Sequence, residues 1–162
     1  MWFYNRATNV RNKMRFLFYK IIYKKQLCLA KGVYARKGFC LQFAKSASVQ
    51  IGENTFFNNY CSINAQDSIK IGSECLFGEN VKIYDHNHIY RNKELPIRTQ
   101  GFSIAPVVIG SNCWIGSNVV ILKGVTIGDN CIIGANCLIY KNVPSDTILK
   151  ADADYILSER KN

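Results

Sequence analysis

Two histidines stand close together in one polar segment of the chain. His86 and His88 are separated by Asn87, and Asp85 directly precedes them. Imidazole can accept a proton near neutral pH, and a positioned general base contributes about 10² to 10⁴ in rate. A nearby carboxylate, from Asp85 or Glu94, could orient the imidazole or bind an acceptor molecule. The segment therefore predicts base-assisted removal of a proton from a weak acid such as an alcohol.

The residues that must position this segment repeat with a period of six. From Ile109 to Ile139 an isoleucine occupies every sixth position. An α-helix repeats near 3.6 residues and a strand near 2, so this period excludes both an amphipathic helix and a strand meander. It is typical of a parallel β-helix, in which three hexads form a coil of about 18 residues. We therefore expect interior ladders that pair Ile109 with Ile127, Ile115 with Ile133 and Ile121 with Ile139.

The same rhythm is present earlier in the chain, where it is interrupted twice. Between Val49 and Ile83 the hexads slip by two residues, from Ile69 to Ile71. Residues 84–106 then show no period, and a loop longer than about 12 to 15 residues in a compact domain is usually functional. Without this loop, residues 49–143 provide about four coils. The prediction is an all-β solenoid, a parallel β-helix of about four coils from which loop 84–106 protrudes.

The basic charge is concentrated before the repeats. The formal net charge is +10, and residues 1–50 contain 11 Lys or Arg and no Asp or Glu. Residues 9–25 fit a helix, because Asn9 can cap it and Val10, Met14, Leu17 and Ile21 recur at spacings of 4, 3 and 4. Such a basic amphipathic helix could lie on an anionic membrane surface or cap the first coil, and one helix can do both.

Composition narrows the remaining classes of function. Seven cysteines without metal-type spacing indicate small buried side chains in a reducing compartment. The sequence shows no secretory signal, and no segment approaches the ~20 apolar residues needed to span a bilayer. We therefore predict a cytoplasmic protein with its leader at the inner face of the membrane, and no nucleic-acid partner, since no recognition motif accompanies the basic residues. The predicted division is a helical leader and cap (1–48), the β-helix (49–143) and a C-terminal cap or tail (144–162).

The repeats and the histidine loop together resemble the hexapeptide-repeat acyltransferases of left-handed β-helix fold, specifically the galactoside, maltose and polysaccharide O-acetyltransferase branch. The resemblance covers about residues 50–145 and depends on Asp85–His88 and on the block Val108–Ile121. It implies a left-handed helix, a homotrimer with active sites between adjacent subunits, and acetyl transfer from acetyl-CoA to a saccharide hydroxyl in surface polysaccharide or glycan biosynthesis. His86 matches the family's catalytic histidine.

Further site residues follow from the resemblance, position by position. It implies an acceptor side formed by Asn58, with Asp85, His88 and Glu94 as further substrate-binding candidates. It implies a CoA side formed by Trp114, Ser117, Ala135 and Lys141. The C-terminus departs from the family, because Asp152 and Asp154 stand where a proline and a basic residue are usual. Either lysines 123, 141 and 150 hold CoA instead, the cofactor shifts, or its binding is weak.

Three other functions remain open from the sequence. An amino-sugar N-acetyltransferase would need similar help from a base. A non-catalytic β-helix scaffold would favour a more regular outer face than the one seen here. A metal enzyme like the γ-class carbonic anhydrases would need three histidine ligands, whereas the chain has two histidines in total. The sequence accordingly predicts an acetyltransferase with no bound metal.

Overall fold

The chain folds into a triangular prism of parallel β-strands that is closed at one end by a helix. The computed structural model describes residues 6–151; the C-terminal Asp152 and Asp154 lie outside the described residues. Helix α1 spans Arg6–Tyr23 and is followed by a 3₁₀ turn at Lys24–Gln26. The strands are β1 (Leu27–Leu29), β2 (Tyr34–Ala35), β3 (Cys40–Phe43), β4 (Ser48–Ile51), β5 (Phe56–Phe57), β6 (Ser62–Ala65), β7 (Ser68–Ile71), β8 (Leu76–Phe77), β9 (Lys82–Tyr84), β10 (His86–His88), β11 (Phe102–Ile104), β12 (Val107–Ile109), β13 (Trp114–Ile115), β14 (Val120–Ile121), β15 (Thr126–Ile127), β16 (Ile132–Ile133), β17 (Leu138–Ile139) and β18 (Ile148–Leu149).

Three parallel sheets form the faces of the prism. Face 1 has the strand order β1-β4-β7-β12-β15, face 2 the order β2-β5-β8-β13-β16-β18, and face 3 the order β3-β6-β9-β14-β17. The chain visits the faces in turn, so each strand pairs with the strand one coil further along. Each face is joined to the next by a corner, which we call corner 1–2, corner 2–3 or corner 3–1.

The predicted interior ladders are present. Ile109 pairs with Ile127, Ile115 with Ile133 and Ile121 with Ile139, and all six side chains are buried. Because alternate residues of a strand point to opposite sides of a sheet, the hexad places one branched aliphatic residue per strand inside the prism. This register confirms the period of six as the basis of the core.

The predicted count of about four coils is too low, since the three faces stack five, six and five strands. A complete coil precedes Val49 and consists of β1, β2 and β3. It escaped the sequence pattern because Leu27 pairs with Val49, 22 residues on, rather than at the regular spacing. Its interior also contains Phe39 and Leu41 instead of regularly spaced isoleucines. At the other end, β18 continues face 2 beyond Val143.

Helix α1 closes the open end of the prism. Strands β1, β2 and β3 are the edge strands of their sheets, and their unpaired backbone groups would invite pairing with another chain. Side chains of α1 and of the following turn bind these groups instead: Asn12 accepts from the Ala35 N–H at 2.8 Å, and the Tyr19 hydroxyl donates to the Phe39 carbonyl at 3.2 Å. Phe16 inserts into the core, where its ring lies 5.8 Å from that of Phe39. In the part of the chain that the structure describes, no helix is both long and apolar enough to cross a membrane.

Candidate active site

A buried carboxylate lies where the histidine segment leaves the prism. Asp85 follows β9 at the interior position that Ala65 occupies one coil earlier, and its side chain is fully buried. Its Oδ1 accepts a hydrogen bond from the Gln66 N–H, and its Oδ2 accepts one from the Asp67 N–H, both at 2.8 Å. Gln66 and Asp67 form the longer turn between β6 and β7, so the two-residue slip in the hexads provides the donors that hold this carboxylate.

The carboxylate in turn orients His86. The Nδ1 atom of His86 lies 3.0 Å from Oδ1 of Asp85. Since both carboxylate oxygens already accept backbone N–H groups, Nδ1 must be the donor in this contact, which leaves Nε2 of a neutral imidazole free to accept a proton. The imidazole is half-buried, and its ring makes edge-to-face contacts with Tyr84 and Phe102 at centroid distances of 6.2 and 5.0 Å. This arrangement is suited to a general base.

The predicted loop is an ordered hairpin rather than an irregular segment. Strands β10 and β11 pair antiparallel, with His86 opposite Ile104 and His88 opposite Phe102. The base of the hairpin is tied to the prism, because the Ala105 N–H donates to the Asp85 carbonyl at 2.9 Å and the Gly124 N–H donates to the Ala105 carbonyl at 3.1 Å. His86 is therefore attached to rigid structure, as precise positioning of a base requires.

His88 and Glu94 are not part of the Asp85–His86 pair. The His88 side chain is exposed, and its ring lies 4.7 Å from that of Phe102. Phe102 thus contacts both imidazoles, a role that sequence reasoning missed because nothing marks this aromatic residue apart from its place in the loop. Glu94 lies in the exposed connection of the hairpin, where its N–H donates to Oδ1 of Asn92. Within the described residues, the Glu94 carboxylate forms no hydrogen bond or ion pair.

A cleft of about 350 Å³ lies beside the hairpin. Asn87, His88 and Ser103 line it together with two cationic side chains, Arg91 and Lys123. His86 does not line this cleft. Within one chain, the proposed base therefore lies outside this cleft.

The residues expected on the CoA side lie elsewhere on the prism. Ser117 and Ala135 stack at corner 2–3, directly after the paired strands β13 and β16, and Asn58 lies at the same corner two coils earlier. Oγ of Ser117 accepts a hydrogen bond from the Glu79 N–H at 3.1 Å, and Oδ1 of Asn58 accepts one from Arg36 at 3.2 Å. His86, in contrast, extends from corner 3–1. Within one chain, His86 at corner 3–1 therefore lies apart from Ser117, Ala135 and Asn58 at corner 2–3.

The comparisons with known proteins agree with this architecture. Residues 106–141 match the family model described as bacterial transferase hexapeptide (six repeats). A solved hexapeptide-repeat containing acetyltransferase of Vibrio cholerae O1 biovar eltor, complexed with acetyl coenzyme A, superposes with a TM-score of 0.71 at 26% identity, over 97% of this chain and 87% of that one. The chain contains the hexapeptide repeat and resembles the hexapeptide-repeat acyltransferase family. Its fold is the left-handed parallel β-helix of that family, as predicted.

Two curated relatives of this hexapeptide-repeat chain come from Escherichia coli K12. The galactoside O-acetyltransferase is 36% identical over 84 residues, which are 52% of this chain and 40% of that protein. The protein named "Putative lipopolysaccharide biosynthesis O-acetyl transferase WbbJ" is 31% identical over 104 residues, which are 60% of this chain and 53% of that protein. The hexapeptide-repeat chain thus spans about half the length, or less, of these relatives.

An exposed apolar row crosses face 2 of the hexapeptide-repeat chain. Leu76, Trp114, Ile132 and Ile148 are in register on successive strands, and Trp114 and Ile148 are 56% and 63% exposed. Contiguous apolar surface of this kind usually marks an interaction site. Trp114, which the resemblance places on the CoA side, is therefore one member of a longer apolar surface.

Lys141 lies at the surface, whereas most of the cysteines lie inside the prism. Lys141 is exposed, and its Nζ lies 5.6 Å from the ring centroid of Tyr140. Five of the seven cysteines are buried in the prism, and burial raises the pKa of the Cys61 thiol to about 11. The described residues contain no group of three or more His, Cys, Asp and Glu side chains that could hold a metal ion.

Proposed function

We propose that this chain is an acetyl-CoA-dependent O-acetyltransferase that acts on a saccharide hydroxyl. The observation that carries the proposal is the hydrogen bond between buried Asp85 and half-buried His86, because it fixes an imidazole with its basic nitrogen free at the edge of a rigid prism. The solved relative complexed with acetyl coenzyme A supports the donor, and the galactoside O-acetyltransferase supports a sugar acceptor. The name of the second E. coli relative supports a place in surface polysaccharide or glycan biosynthesis.

In the proposed reaction, Nε2 of His86 removes the proton of the acceptor hydroxyl as its oxygen attacks the thioester carbonyl carbon. The tetrahedral intermediate collapses with cleavage of the carbon–sulfur bond. The imidazolium then returns the proton to the CoA thiolate, so the products are the acetyl ester and free CoA. Asp85 stabilises the transient imidazolium and keeps the ring in the required orientation. It does so without touching the acceptor, because its carboxylate is buried.

We propose that the reaction centre is completed by a second copy of the chain in a homotrimer. His86 extends from corner 3–1, whereas Ser117 and Ala135 lie at corner 2–3. A contact between two different edges of identical chains is heterologous, and heterologous contacts that close form rings. The exposed apolar row on face 2 supplies surface that such a contact would bury.

The remaining side chains receive roles within that centre. We assign Trp114, Ser117, Ala135 and Lys141 to CoA binding, with the Ser117 backbone N–H as a donor to the developing oxyanion. We assign Asn58, His88 and Glu94 to the acceptor side. Lys123 and Arg91 add positive charge to the cleft beside the hairpin, where an anionic group of either substrate would be stabilised.

The test is a transfer screen with the purified full chain, acetyl-CoA and a panel of neutral sugars, oligosaccharides and amino sugars. Consumption of the thioester is followed by its absorbance, and products are identified by mass spectrometry. We expect an O-acetylated saccharide, with turnover reduced about 10² to 10⁴-fold by His86→Ala while CoA binding is retained. His88→Ala is measured in parallel, since it removes an imidazole that we assign to the acceptor side and that, in the described residues, has no contact with Asp85; we expect it to raise the KM for the saccharide while kcat is largely retained. Turnover unaffected by His86→Ala would refute the mechanism, and products acetylated only on nitrogen would replace it with amino-sugar N-acetylation.

A further inference from the structure

Helix α1 presents an apolar surface to solvent after it has capped the prism. Six large apolar side chains on its outward side are between 50% and 65% exposed. We call them the outer row: Val10, Met14, Leu17, Phe18, Ile21 and Ile22. At about 100° per residue, the outer row covers roughly 140° of the helix surface. A contiguous exposed apolar stripe of this size indicates a binding surface.

The helix cannot turn to bury this stripe, because its opposite side is already fixed. Asn12 and Phe16 are buried, and Arg15, Tyr19 and Tyr23 donate to backbone carbonyls of the first coil. At about 100° per residue, these side chains are centred roughly 150° from the centre of the outer row. Capping and the outer row therefore use different faces of the same helix, and both are available at once.

The charges beside the outer row favour an anionic partner. Lys13 and Lys20 flank it on one side and Arg11 on the other, and all three are exposed. Lys24 and Lys25 follow at the C-terminal end of the helix, and residues 1–50 contain no acidic side chain. A groove of about 270 Å³ runs beside the helix, with Lys13 and Lys20 at its rim and Leu17 in its wall. An apolar row bordered by cations and a groove matches the acyl and headgroup layers of an anionic bilayer.

A second copy of the same helix is a poorer match. Two such faces packed together would bring lysines and arginines of the same sign into contact, with no Asp or Glu in residues 1–50 to pair with them. An anionic lipid surface satisfies both the apolar row and its cationic borders.

We propose that the outer row of α1 docks this chain on an anionic membrane surface, with the prism standing on its α1 end. Because α1 binds the edge strands of the first coil, its outward side faces away from the coils. His86 follows the third coil, so two coil spacings and one helix diameter separate its imidazole from the lipid surface by about 20 Å. The docking itself does not depend on the proposed transferase activity.

The experiment is flotation of the full chain with vesicles of phosphatidylcholine alone and with phosphatidylglycerol included. The test variant is Leu17→Glu with Ile21→Glu, both at exposed positions of the outer row. The matched control is Leu95→Glu with Ile97→Glu, which makes the same two chemical changes at exposed positions of the hairpin connection. A second variant, Lys13→Gln with Lys20→Gln, tests the cationic border. Circular dichroism and melting temperatures verify that each variant is folded.

We expect binding to the anionic vesicles, at least about a 100-fold loss of affinity in the outer-row variant, and little change in the control. The lysine variant should lose about 30-fold on anionic vesicles, which corresponds to roughly fivefold per lysine. Equal binding to neutral vesicles, or equal losses in the test and control variants, would overturn the proposal. A change of mass in light scattering that is confined to the outer-row variant would also overturn it, since a second copy would then be the occupant. Transfer to a soluble saccharide is measured without vesicles, so failure of either proposal is distinguishable from failure of the other.

Discussion

Replacing Asp85 with asparagine tests the link between the slip in the hexads and the proposed base. The substitution keeps the size of the side chain but changes one acceptor oxygen into an NH₂ donor. In the unsubstituted chain, Asp85 accepts hydrogen bonds from the Gln66 N–H, the Asp67 N–H and His86. In the variant, at least one of these three donors must face the new NH₂ group, which is also a donor. A hydrogen bond to a charged group contributes about 1.5 to 3 kcal/mol, and an unsatisfied buried donor costs a similar amount. We expect a loss of about 2 to 3 kcal/mol in the free energy of unfolding, or roughly 5 to 10 °C in melting temperature.

Turnover should fall as well, for a separate reason. The asparagine oxygen can still accept from Nδ1 of His86, so the ring keeps part of its orientation but loses the negative charge that stabilises the imidazolium. We expect a decrease of about 10- to 100-fold in kcat, which is smaller than the 10² to 10⁴-fold loss expected for His86→Ala. Thioester consumption at saturating acetyl-CoA measures this, well below the melting temperature of the variant, with CoA affinity measured in parallel.

A double-mutant cycle distinguishes positioning from a merely structural role. If Asp85 acts through the imidazole, Asp85→Asn should cause no further loss of turnover in the His86→Ala background, while its effect on stability persists. Asp67→Asn is the control, because it makes the same change of charge on an exposed neighbouring side chain whose backbone N–H alone contacts Asp85. Additive losses of turnover in the double variant, or equal effects of Asp67→Asn and Asp85→Asn, would refute the reasoning.

Four further predictions concern the prism. A Cβ on Gly116 would lie 2.5 Å from backbone of the next coil, whereas on Gly134 the nearest atom is 3.3 Å away. Gly116→Ala should therefore cost about 1 to 3 kcal/mol of unfolding free energy and Gly134→Ala much less, and equal urea midpoints would contradict this. A thiol reagent should modify Cys28 rapidly in the folded chain, and all seven thiols only after unfolding. Since burial raises the pKa of Cys61 from 9.0 to about 11, its contribution to stability is present below about pH 9 and lost as the pH rises through 11, which urea unfolding can measure. Leu76→Glu, in the exposed row of face 2, should convert the proposed trimer to monomers in light scattering, and an unchanged mass would contradict the proposed interface.

The regular part of the fold could be predicted because its cause is local. Each strand has one interior position between two corners, and that position accepts a branched apolar side chain. The spacing of Ile115 and Ile121 in the sequence therefore predicts which residues of successive coils pair. The first coil could not be found this way, since its spacing is longer and an aromatic side chain, Phe39, fills its interior. Its interior is shaped by contact with Phe16 of the helix, which is a long-range contact that a period cannot reveal.

The site could be predicted only in part, because its contacts join distant turns. His86 stood out by its type and by the loop that contains it. The sequence left Asp85 with two possible roles, and the burial of its carboxylate and its contact with His86 support our proposal that it orients the imidazole. The slip is visible in the sequence as an irregular spacing of the hexads. Its structural effect is seen only in the hydrogen bonds that the Gln66 and Asp67 N–H groups donate to the Asp85 carboxylate.

Cyclic symmetry would give the helix at the end of the prism a property that no single chain has. In a closed ring of three copies, every α1 lies at the same end of the assembly, so three outer rows would meet one bilayer together. Once one outer row has bound the bilayer, the other two are held near it at high effective concentration. The trimer would therefore bind the membrane much more tightly than a single subunit does. Attachment would then become steeply dependent on protein concentration, and lone subunits, which lack a complete reaction centre, would also be the ones that leave the lipid.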